Sequence, residues 1–458
     1  MHVRDVFRKL DERKLDVWQS RALFTIGMGS FTDGYDLVSI SVVLTYVTTT
    51  LNASSNLWKS LFTGSALAGS IVGALIFGVL ASRGRKRFYG VDVAILALGA
   101  LAQAFARTPV QLALIRGILG IGVGADYVLS PLIMAEHSNS RDRGKLLALG
   151  FGGMWTLGST ASAALTLVLQ SFHLNPDLIW RVVLGLGALP AASVIYLRRK
   201  VPETPRYLAR IRGDQRELSR VIQQLTGDSP SSIPELKDPT PPSTYFQRLR
   251  WTFLTACTLW FLFNLVNYSS LLFGPNLIAK SIGIGNGALF QLMINLAFTL
   301  PALGVAVVLV DRIGRRPIQI AGFVGAAISL LSFALLRSSL PIVWEFTLYG
   351  LFNFFTQVGP GSTNATWGTE LSPTRVRSAV MSYTVVSGRS GAVITSFVFP
   401  YLFSSNQGLT NASLVLALIS GAAALLTLVA MPEARGKPLE DSSRESLLER
   451  EEFNPSSQ

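Results

Sequence analysis

Long apolar stretches recur along almost the whole chain, and short polar segments rich in Lys and Arg separate them. A helix that crosses a bilayer needs about 20 mostly apolar residues. Twelve stretches come close to that length: 22–49, 58–81, 89–106, 109–135, 146–172, 178–197, 251–279, 286–310, 317–336, 341–369, 378–404 and 410–431. The pattern predicts an all-α membrane protein with twelve transmembrane helices in two six-helix halves.

The composition agrees with a membrane location. Hydrophobic residues make up 49% of the 458 residues and charged residues only 15%, whereas soluble domains carry about 25% charged residues. The net charge of +13 would indicate a nucleic-acid partner in a soluble protein. The positions of the basic residues lead to a different interpretation.

Basic residues are concentrated on one side of the predicted topology. Of the 40 Lys and Arg, 33 lie in the tails and loops on the side of both termini. Four lie in the opposite loops: Lys59, Arg107, Lys280 and Arg337. This bias predicts that both termini are cytoplasmic. We expect a multi-pass protein of the plasma membrane whose basic face borders anionic lipid rather than nucleic acid.

The topology also predicts the division into domains. The expected segments are an N-terminal tail (1–21), a first half (22–199), a linker (200–248), a second half (249–432) and a C-terminal tail (433–458). In the linker, the stretch "PETPRYLARIRGDQRELSRVIQQL" predicts an amphipathic helix and the Pro/Ser-rich stretch after it a mobile segment. The charged end of the chain, from Glu440 onward, is typical of disorder.

Two short basic turns indicate an internal repeat. Residues 78–87 read "GVLASRGRKR" and residues 307–316 read "VVLVDRIGRR". Each turn follows the second span of its half. A duplicated six-helix unit is common among transporters, which bind their substrate between the repeats near the bilayer midplane.

Charged residues inside the spans are the candidate functional groups, because a central charge costs about 2.5–3.5 kcal/mol on insertion scales and usually faces a cavity. The spans contain six: Asp33 and Asp36 in helix 1, Arg116 and Asp126 in helix 4, Glu345 in helix 10 and Arg389 in helix 11. Buried carboxyl groups can exchange protons at ordinary pH, and the arginine fork attracts oxyanions. The set suits co-transport of protons with an anion, with structural salt bridges as the alternative. Asp92 and Arg181 lie near span ends and are expected at the interface.

Helix 7 carries a polar and aromatic stripe. Trp260, Asn264 and Tyr268 recur every four residues and therefore share one helix face. The stripe can line a cavity or pack against another helix, and the residues alone leave both possibilities open.

Several motifs together resemble the phosphate:proton symporter branch of the major facilitator superfamily. They are "FTDGYDL" in helix 1, "RGILGIGVGADYVLSPLIMAEH" in helix 4, "RGKLLALGFGGM" at helix 5 and "GPGSTNATWGTELSPTRVRSAVMSYTVVSGRSGAV" across helices 10 and 11. "PETPRY" after helix 6 and "PEARGKPLE" after helix 12 are similar to motifs of the wider superfamily. The resemblance covers residues 22–438.

The resemblance implies roles for individual residues. It places Asp33, Asp36 and Asp126 on a proton route, and Tyr127, Trp260 and Tyr268 around the substrate. It implies cytoplasmic gate contacts at Glu136, Arg143, Glu370 and Arg377, and it places the acid of the loop motif in the second half at Asp311. Arg116, identified from its position in a span, is expected to be a gate or structural charge. The resemblance also implies a monomeric carrier of protons and a small anion, without cofactor or metal. The lone Cys257 and three scattered His residues agree with the absence of a metal site.

The chain departs from the branch at four positions. The helix-7 acid of the branch is Asn264 here, its helix-11 Lys is Arg389, and its helix-5 Gln falls on Met154, or on Trp155 if the alignment slips by one residue. Ser82 replaces the Asp of the loop between helices 2 and 3. These changes keep the attraction for an anion and make a larger organic anion a reasonable substrate beside phosphate.

The sequence therefore predicts a proton-coupled importer of inorganic phosphate or a similar anion that works by alternating access. Two alternatives stay open: a proton-coupled porter of organic or aromatic acids or sugars, and a membrane sensor that does not transport. No enzymatic activity is predicted, because no nucleophile–base set is evident and the "GIGVGAD" run lies inside a span rather than after a strand.

Overall fold

Twelve helical passes form the protein, for which the computed structural model describes residues 3–13, 17–227, 236–403 and 407–445. The passes of the first half are α1 (Val17–Thr50), α2 (Asn56–Ala81), α3 (Val91–Gln103), α4 (Pro109–His137), α5 (143–171) and α6 (Pro176–Lys200). Those of the second half are α7 (Arg250–Ser281), α8 (Gly287–Leu309), α9 (Arg315–Leu336), α10 (342–370), α11 (Arg377–Leu402) and α12 (Gly408–Ala430). The predicted all-α architecture is confirmed.

Length and hydropathy separate the passes into two groups. Within the described part of the chain, seven passes are long and apolar enough to cross a membrane on these criteria alone: α2, α4, α6, α7, α8, α9 and α12. The other five are short, interrupted or more polar. Asp33 lies in α1 and Arg389 in α11, while α3 has 13 residues. Both groups bring charges into the bundle, since Arg116 and Asp126 lie in the apolar pass α4.

Local sequence explains where helices begin and break. The Thr108 side chain accepts a hydrogen bond from the Gln111 backbone at 3.2 Å, and Pro109 occupies the first helical position, so α4 begins there. α10 is interrupted at Gly359, since Pro360 cannot donate to the helical ladder. α5 widens into a π-helical turn over Ala148–Gly153. Both irregular segments lie beside the central cavity described below.

Small residues let α2 and α4 pack backbone to backbone. A Cβ atom added to Gly69 would overlap the carbonyl oxygen of Gly117, and one added to Gly120 would overlap that of Ala66. Glycine spacing of this kind brings membrane helices into close contact. This contact makes the first half a tight unit around the charges that it buries.

The two halves meet across a central interface. α1, α2, α4 and α5 of the first half contact α7, α8, α10 and α11 of the second. The described ends of the chain and the linker lie together at one end of the bundle, where Asp11 of helix Val3–Asp11 is 2.9 Å from Arg206 of the linker. We call this end the terminal face.

The linker and the C-terminal segment differ from the sequence expectations. The predicted amphipathic helix breaks at Gly213, whose φ of +71° separates Leu208–Arg212 from Gln215–Thr226. Its apolar side packs on Phe7 and Leu10 of the N-terminal helix. The expected disorder is wrong for residues 440–445, because Glu440 and Glu445 are buried in ion pairs. The rest of that prediction, and part of the Pro/Ser-rich segment (228–235), lies outside the described residues.

Candidate functional site

A cavity lies between the two halves at the middle of the bundle. Its empty volume is about 500 Å³, including its open side. Aromatic and amide side chains form its walls, together with two glycines: Tyr127, Phe151, Gly152, Trp155, Trp260, Phe263, Asn264, Asn267, Tyr268, Gln357, Gly361 and Asn364. None of these lining residues carries a formal charge. A volume of this size is in the range of small-molecule binding sites.

An ion pair between the halves lies directly behind the cavity wall. Arg389 of α11 is 3.3 Å from the Oδ2 atom of Asp33 in α1, and both side chains are buried. The Oδ1 atom of Asp33 is buried without a hydrogen-bond partner among the described residues. The pair therefore links the two halves and leaves one carboxylate oxygen available to a proton.

Two tyrosines and a tryptophan separate this ion pair from the cavity. The Tyr127 hydroxyl donates to Asp33 at 2.6 Å, and the Arg389 guanidinium lies 3.9 Å from the centre of the Tyr127 ring. Arg389 also donates to the Tyr268 hydroxyl, and the Trp155 Nε1 donates to Asp33 at 3.0 Å. Both charges are thus one side chain away from any ligand in the cavity.

The stripe predicted on α7 faces the cavity. Trp260, Asn264 and Tyr268 all line it, and the Trp260 ring lies 6.5 Å from that of Tyr127. Of the two positions on α5 that the resemblance allowed, Trp155 lines the cavity and Met154 does not. Met154 instead packs beside Gly27 of α1.

Asp36, one turn from Asp33, points into the first half instead of the cavity. It pairs with Arg116 of α4 at 3.1 Å and accepts a hydrogen bond from Gln103 of α3 at 2.8 Å. Arg116 also donates to the Phe62 carbonyl at 2.6 Å. This arrangement joins α1, α2, α3 and α4, which agrees with the structural role that the sequence left open for Arg116.

Asp126 occupies a second buried cluster, centred on Arg198. The Arg198 NH1 atom lies 2.5 Å from both Asp92 and Asp126, and all three side chains are almost fully buried. The Ser130 hydroxyl donates to Asp126 at 2.6 Å. Two carboxylates share one guanidinium, so the cluster carries one excess negative charge when both acids are ionised. Asp92 lies in the first turn of α3, near the end of the span as expected, and its side chain is buried beside Arg198.

Ion pairs close the terminal face between the halves. Glu136 of α4 bridges Arg85 at 2.8 Å and Arg377 of the second half at 2.7 Å. A companion cluster joins Glu370 to Arg315 at 2.9 Å and to Arg143 at 4.0 Å. Asp311 completes it, pairing with Arg315 at 2.7 Å and accepting from the Lys145 backbone of the first half at 2.7 Å. The structure thus brings together five of the residues assigned to gate charges: Glu136, Arg143, Asp311, Glu370 and Arg377.

Hydrogen bonds also join the halves on the opposite side of the cavity. The Ser41 hydroxyl of α1 donates to the Leu272 carbonyl of α7 at 2.8 Å. Near that end of the bundle, Asn286 donates to Gln170 at 2.9 Å. With contacts on both sides, the cavity is held in a closed arrangement.

Some residues of the site could not be singled out from the sequence. Arg198 reads as the first of three basic residues, "RRK", at the end of a span and therefore as part of the loop. Asn267, Gln357 and Asn364 are polar residues within spans, where ordinary helix packing also explains an amide. Only their common orientation toward one cavity separates them from other polar residues of the chain.

Comparison with known proteins gives consistent results. A sequence family described as "Sugar (and other) transporter" matches residues 22–445. The chain is 30% identical over 515 residues to inorganic phosphate transporter 1-6 of Oryza sativa subsp. japonica, with 98% of this chain and 96% of the relative covered. It is also 30% identical over 513 residues to low affinity inorganic phosphate transporter 4 of Lotus japonicus, with the same coverage.

Solved structures share the fold. The major facilitator superfamily proton:xylose symporter XylE bound to 6-bromo-6-deoxy-D-glucose has a TM-score of 0.82 at 20% identity, over 94% of this chain and 99% of that chain. An inward-open conformation of XylE from E. coli has a TM-score of 0.69 at 20% identity, over 94% and 100%. The chain therefore belongs to the sugar (and other) transporter family, has the fold of major facilitator superfamily structures, and is a membrane transporter, not an enzyme.

Proposed function

We propose that the protein is a proton-coupled importer of inorganic phosphate or a similar anion that works by alternating access. The single observation that carries the proposal is the Asp33–Arg389 ion pair behind the cavity wall, 3.3 Å long and contributed by both halves. The relatives at 30% identity, which are described as inorganic phosphate transporters, support phosphate as the first substrate to test.

The ion pair supplies a mechanism for coupling. When Asp33 is ionised, its carboxylate occupies the guanidinium of Arg389 and acts as an internal substitute for the substrate anion. A proton on Asp33 removes that competition and frees Arg389 for a substrate oxyanion. Tyr127 contacts both groups, so its own contacts can change when Asp33 is protonated. Proton and anion would then bind together, because each favours the state that the other requires.

The gate contacts fit the conformational step of the transport cycle. A ligand moves a carrier between states only through a difference in its affinity for them. Opening toward the terminal face requires the bridges of Glu136 and Glu370 to separate, and opening on the other side requires the Ser41 contact to separate. We assign the terminal face to the cytoplasm of the cell, across the plasma membrane, on the basis of its excess of basic residues.

The remaining buried acids are assigned to proton movement. Asp36 lies one helical turn from Asp33, and the Asp126 cluster carries an excess negative charge when ionised. We assign proton entry or exit to these groups, with Arg116 and Arg198 holding them in place. One chain encloses the whole cavity, so the proposed unit of transport is the monomer.

The test is uptake of radiolabelled phosphate into proteoliposomes, with and without a pH gradient that is acid outside. The Arg389→Gln variant keeps polar contacts and removes the charge, and Arg337→Gln is a matched control at an arginine whose side chain is 24% exposed. We expect gradient-stimulated uptake in the wild type and the control, and none in Arg389→Gln. Wild-type protein that is correctly inserted and takes up no anion under a gradient would overturn the proposal.

A further inference from the structure

We propose that the site prefers a hydroxylated organic anion, a sugar acid or the phosphate monoester of a polyol, over inorganic phosphate. Its anionic group would lie toward Tyr127 and Tyr268, in front of Arg389, and its hydroxyl groups would contact the amide side chains of the cavity. The inference rests on the proposed function, because it names the substrate class of the same site.

The first observation is an unsatisfied amide in the cavity wall. Asn364 of α10 is 4% exposed, and neither its nitrogen nor its oxygen has a hydrogen-bond partner among the described residues. Leaving a buried donor and acceptor unpaired costs stability unless a ligand pairs with them. A hydroxyl group donates and accepts at once and so matches both atoms of Asn364. Inorganic phosphate as HPO4²⁻ has a single O–H donor, whereas a polyol offers several hydroxyl groups to the amides of the wall.

The second observation is an adjoining amide-lined chamber. A further cavity with an empty volume of about 390 Å³ shares Trp155, Asn267 and Gln357 with the first. It adds three amides to the polar surface: Gln291, Asn295 and Asn353. The lining residues of both cavities are neutral. The added amides hold one another and neighbouring protein groups in hydrogen bonds, such as Gln291 to Asn295 at 3.0 Å. A neutral polar lining suits hydroxyl groups, and the two adjoining cavities leave room for a substrate longer than a single oxyanion.

The aromatic part of the wall points to a carbon skeleton. Trp155, Trp260 and Phe263 line the main cavity, and Phe151 lies edge-on to Trp260 at 6.4 Å. Such rings contact C–H groups favourably. A bare phosphate ion has no apolar surface to place against them, whereas a polyol or sugar chain has C–H faces as well as hydroxyl groups.

The charge distribution gives the substrate its orientation. The guanidinium of Arg389 lies behind the cavity wall. It contacts Tyr127 and Tyr268, which line the cavity. The unpaired amide of Asn364 and the shared amides belong to other helices, α7 and α10. One anionic end and a chain of hydroxyl groups satisfy both parts of the site, while a neutral sugar leaves the Arg389 side unused.

The test is competition against proton-driven phosphate uptake in proteoliposomes. The competitors are gluconate, glycerol 3-phosphate, glucose and acetate, which separate the sugar acid, the polyol phosphate, the neutral polyol and the bare carboxylate. We expect gluconate or glycerol 3-phosphate to inhibit at about tenfold lower concentration than unlabelled phosphate, as expected for an added hydrogen bond. Glucose and acetate should inhibit weakly.

Two substitutions assign the effect to the amides. Asn364→Leu and Gln357→Leu should each weaken inhibition by the hydroxylated anion about tenfold, the cost of one lost hydrogen bond, and this loss should exceed the loss of inhibition by phosphate in the same variant. Asn411→Leu is the matched control at an exposed residue of α12. Because two amide positions are tested, one variant that fails to fold does not end the experiment. The competition assay on the wild type needs no variant.

Failure of the inference is distinct from failure of the proposed function. Proton-driven phosphate uptake that no hydroxylated anion inhibits better than phosphate overturns the inference and leaves the proposed function standing. If phosphate is not transported, labelled gluconate and glycerol 3-phosphate replace it, and gradient-driven uptake of either supports the inference. If labelled glucose is taken up and none of the anions is, both the inference and the proposal of an anionic substrate are overturned.

Discussion

The Arg389 guanidinium lies 3.3 Å from the carboxylate of Asp33, although α11 and α1 belong to different halves of the transporter. The pair is buried, and Tyr127 contacts both of its members. A buried ion pair contributes little net stability, because removing its charges from water offsets their attraction. Its position beside the cavity, rather than its strength, makes it the point at which, in the proposed mechanism, the Asp33 carboxylate and a substrate anion compete for Arg389.

Substituting Asp33 should separate exchange from net transport. Asn at this position keeps the size and hydrogen bonding of the side chain but cannot release a proton, so Arg389 stays free for the anion throughout the cycle. We expect gradient-driven uptake to fall by about tenfold or more, the order expected when one of two coupled sites is lost. Exchange of internal for external substrate should continue. Both rates are measured in the same proteoliposomes.

The control for this substitution is Asp177→Asn. Asp177 pairs with Arg181 on the surface, and 44% of its side chain is exposed. This variant should keep both rates. Equal loss of exchange and net uptake in Asp33→Asn would mean that Asp33 serves folding or substrate binding and not proton coupling.

The sequence was sufficient where a local pattern determines position. Hydropathy located the twelve passes. The four-residue spacing of Trp260, Asn264 and Tyr268 predicted that these three side chains share one face of α7, and in the structure this face lines the cavity. On α5 the expectation came from the resemblance, which left Met154 and Trp155 as alternatives. The π-helical turn Ala148–Gly153 inserts a residue ahead of Met154. One extra residue rotates a helix by about 100°, and Trp155 faces the cavity.

Pairings between distant residues could not be predicted. Arg198 pairs with Asp126, 72 positions earlier in the chain, and with Asp92, 106 positions earlier. Nothing in the "RRK" stretch distinguishes Arg198 from Arg199, which is exposed. The difference arises from the rotation of α6 against α3 and α4, which depends on packing across the whole half.

The Arg198 cluster gives a prediction about stability. Replacing Arg198 by Met leaves Asp92 and Asp126 buried without their cation, which should lower the free energy of unfolding by about 3–5 kcal/mol. Thermal unfolding in detergent measures the effect. Arg199→Met is the matched control and should unfold at the wild-type temperature.

A rescue variant distinguishes electrostatics from packing. Adding Asp92→Asn and Asp126→Asn to Arg198→Met removes the uncompensated charges and should recover part of the lost stability. If the triple variant is no more stable than Arg198→Met, the loss came from the missing side-chain volume and its contact with the Tyr89 ring at 4.5 Å.

The bridge at Glu136 gives a prediction about opening. Weakening this bridge should favour opening of the carrier toward the terminal face. Glu136→Gln removes the charge that Arg85 and Arg377 share, so the terminal face should open more often. In a Cys257→Ser background, which has no other cysteine, a cysteine at Asn267 reports entry into the cavity. Its labelling from the terminal face by an impermeant thiol reagent should accelerate about tenfold or more, since losing one partner of a buried charge pair costs a few kcal/mol.

The matched control for the gate is Glu217→Gln. Glu217 forms a surface pair with Arg212, half of which is exposed, and this substitution should not change the labelling rate. An unchanged rate in Glu136→Gln as well would mean that contacts other than this bridge keep the terminal face closed.

The ion pair between Glu440 and Arg206 at the terminal face predicts a loss of stability in acid. Burial raises the pKa of Glu440, but the charge of Arg206 and its hydrogen bond at 2.7 Å outweigh burial, so the pKa lies below the usual 4.5. A carboxyl whose pKa is lower in the folded state stabilises the fold above its unfolded pKa, and this contribution disappears as the pH falls through the folded value. Asp11 shares Arg206, but burial chiefly raises its pKa, so its contribution has the opposite sign.

Comparing Glu440→Gln with its parent in an Asp11→Asn background isolates the contribution of Glu440, because the charge of Glu440 also raises the pKa of Asp11. Near pH 7 the variant should be less stable by about 1–3 kcal/mol, the cost of an unsatisfied buried group. The difference should shrink below pH 4.5 and vanish once Glu440 is protonated in the folded protein. Thermal unfolding at several pH values measures it. A difference that stays constant down to the lowest pH would assign the effect of Glu440 to packing instead of charge.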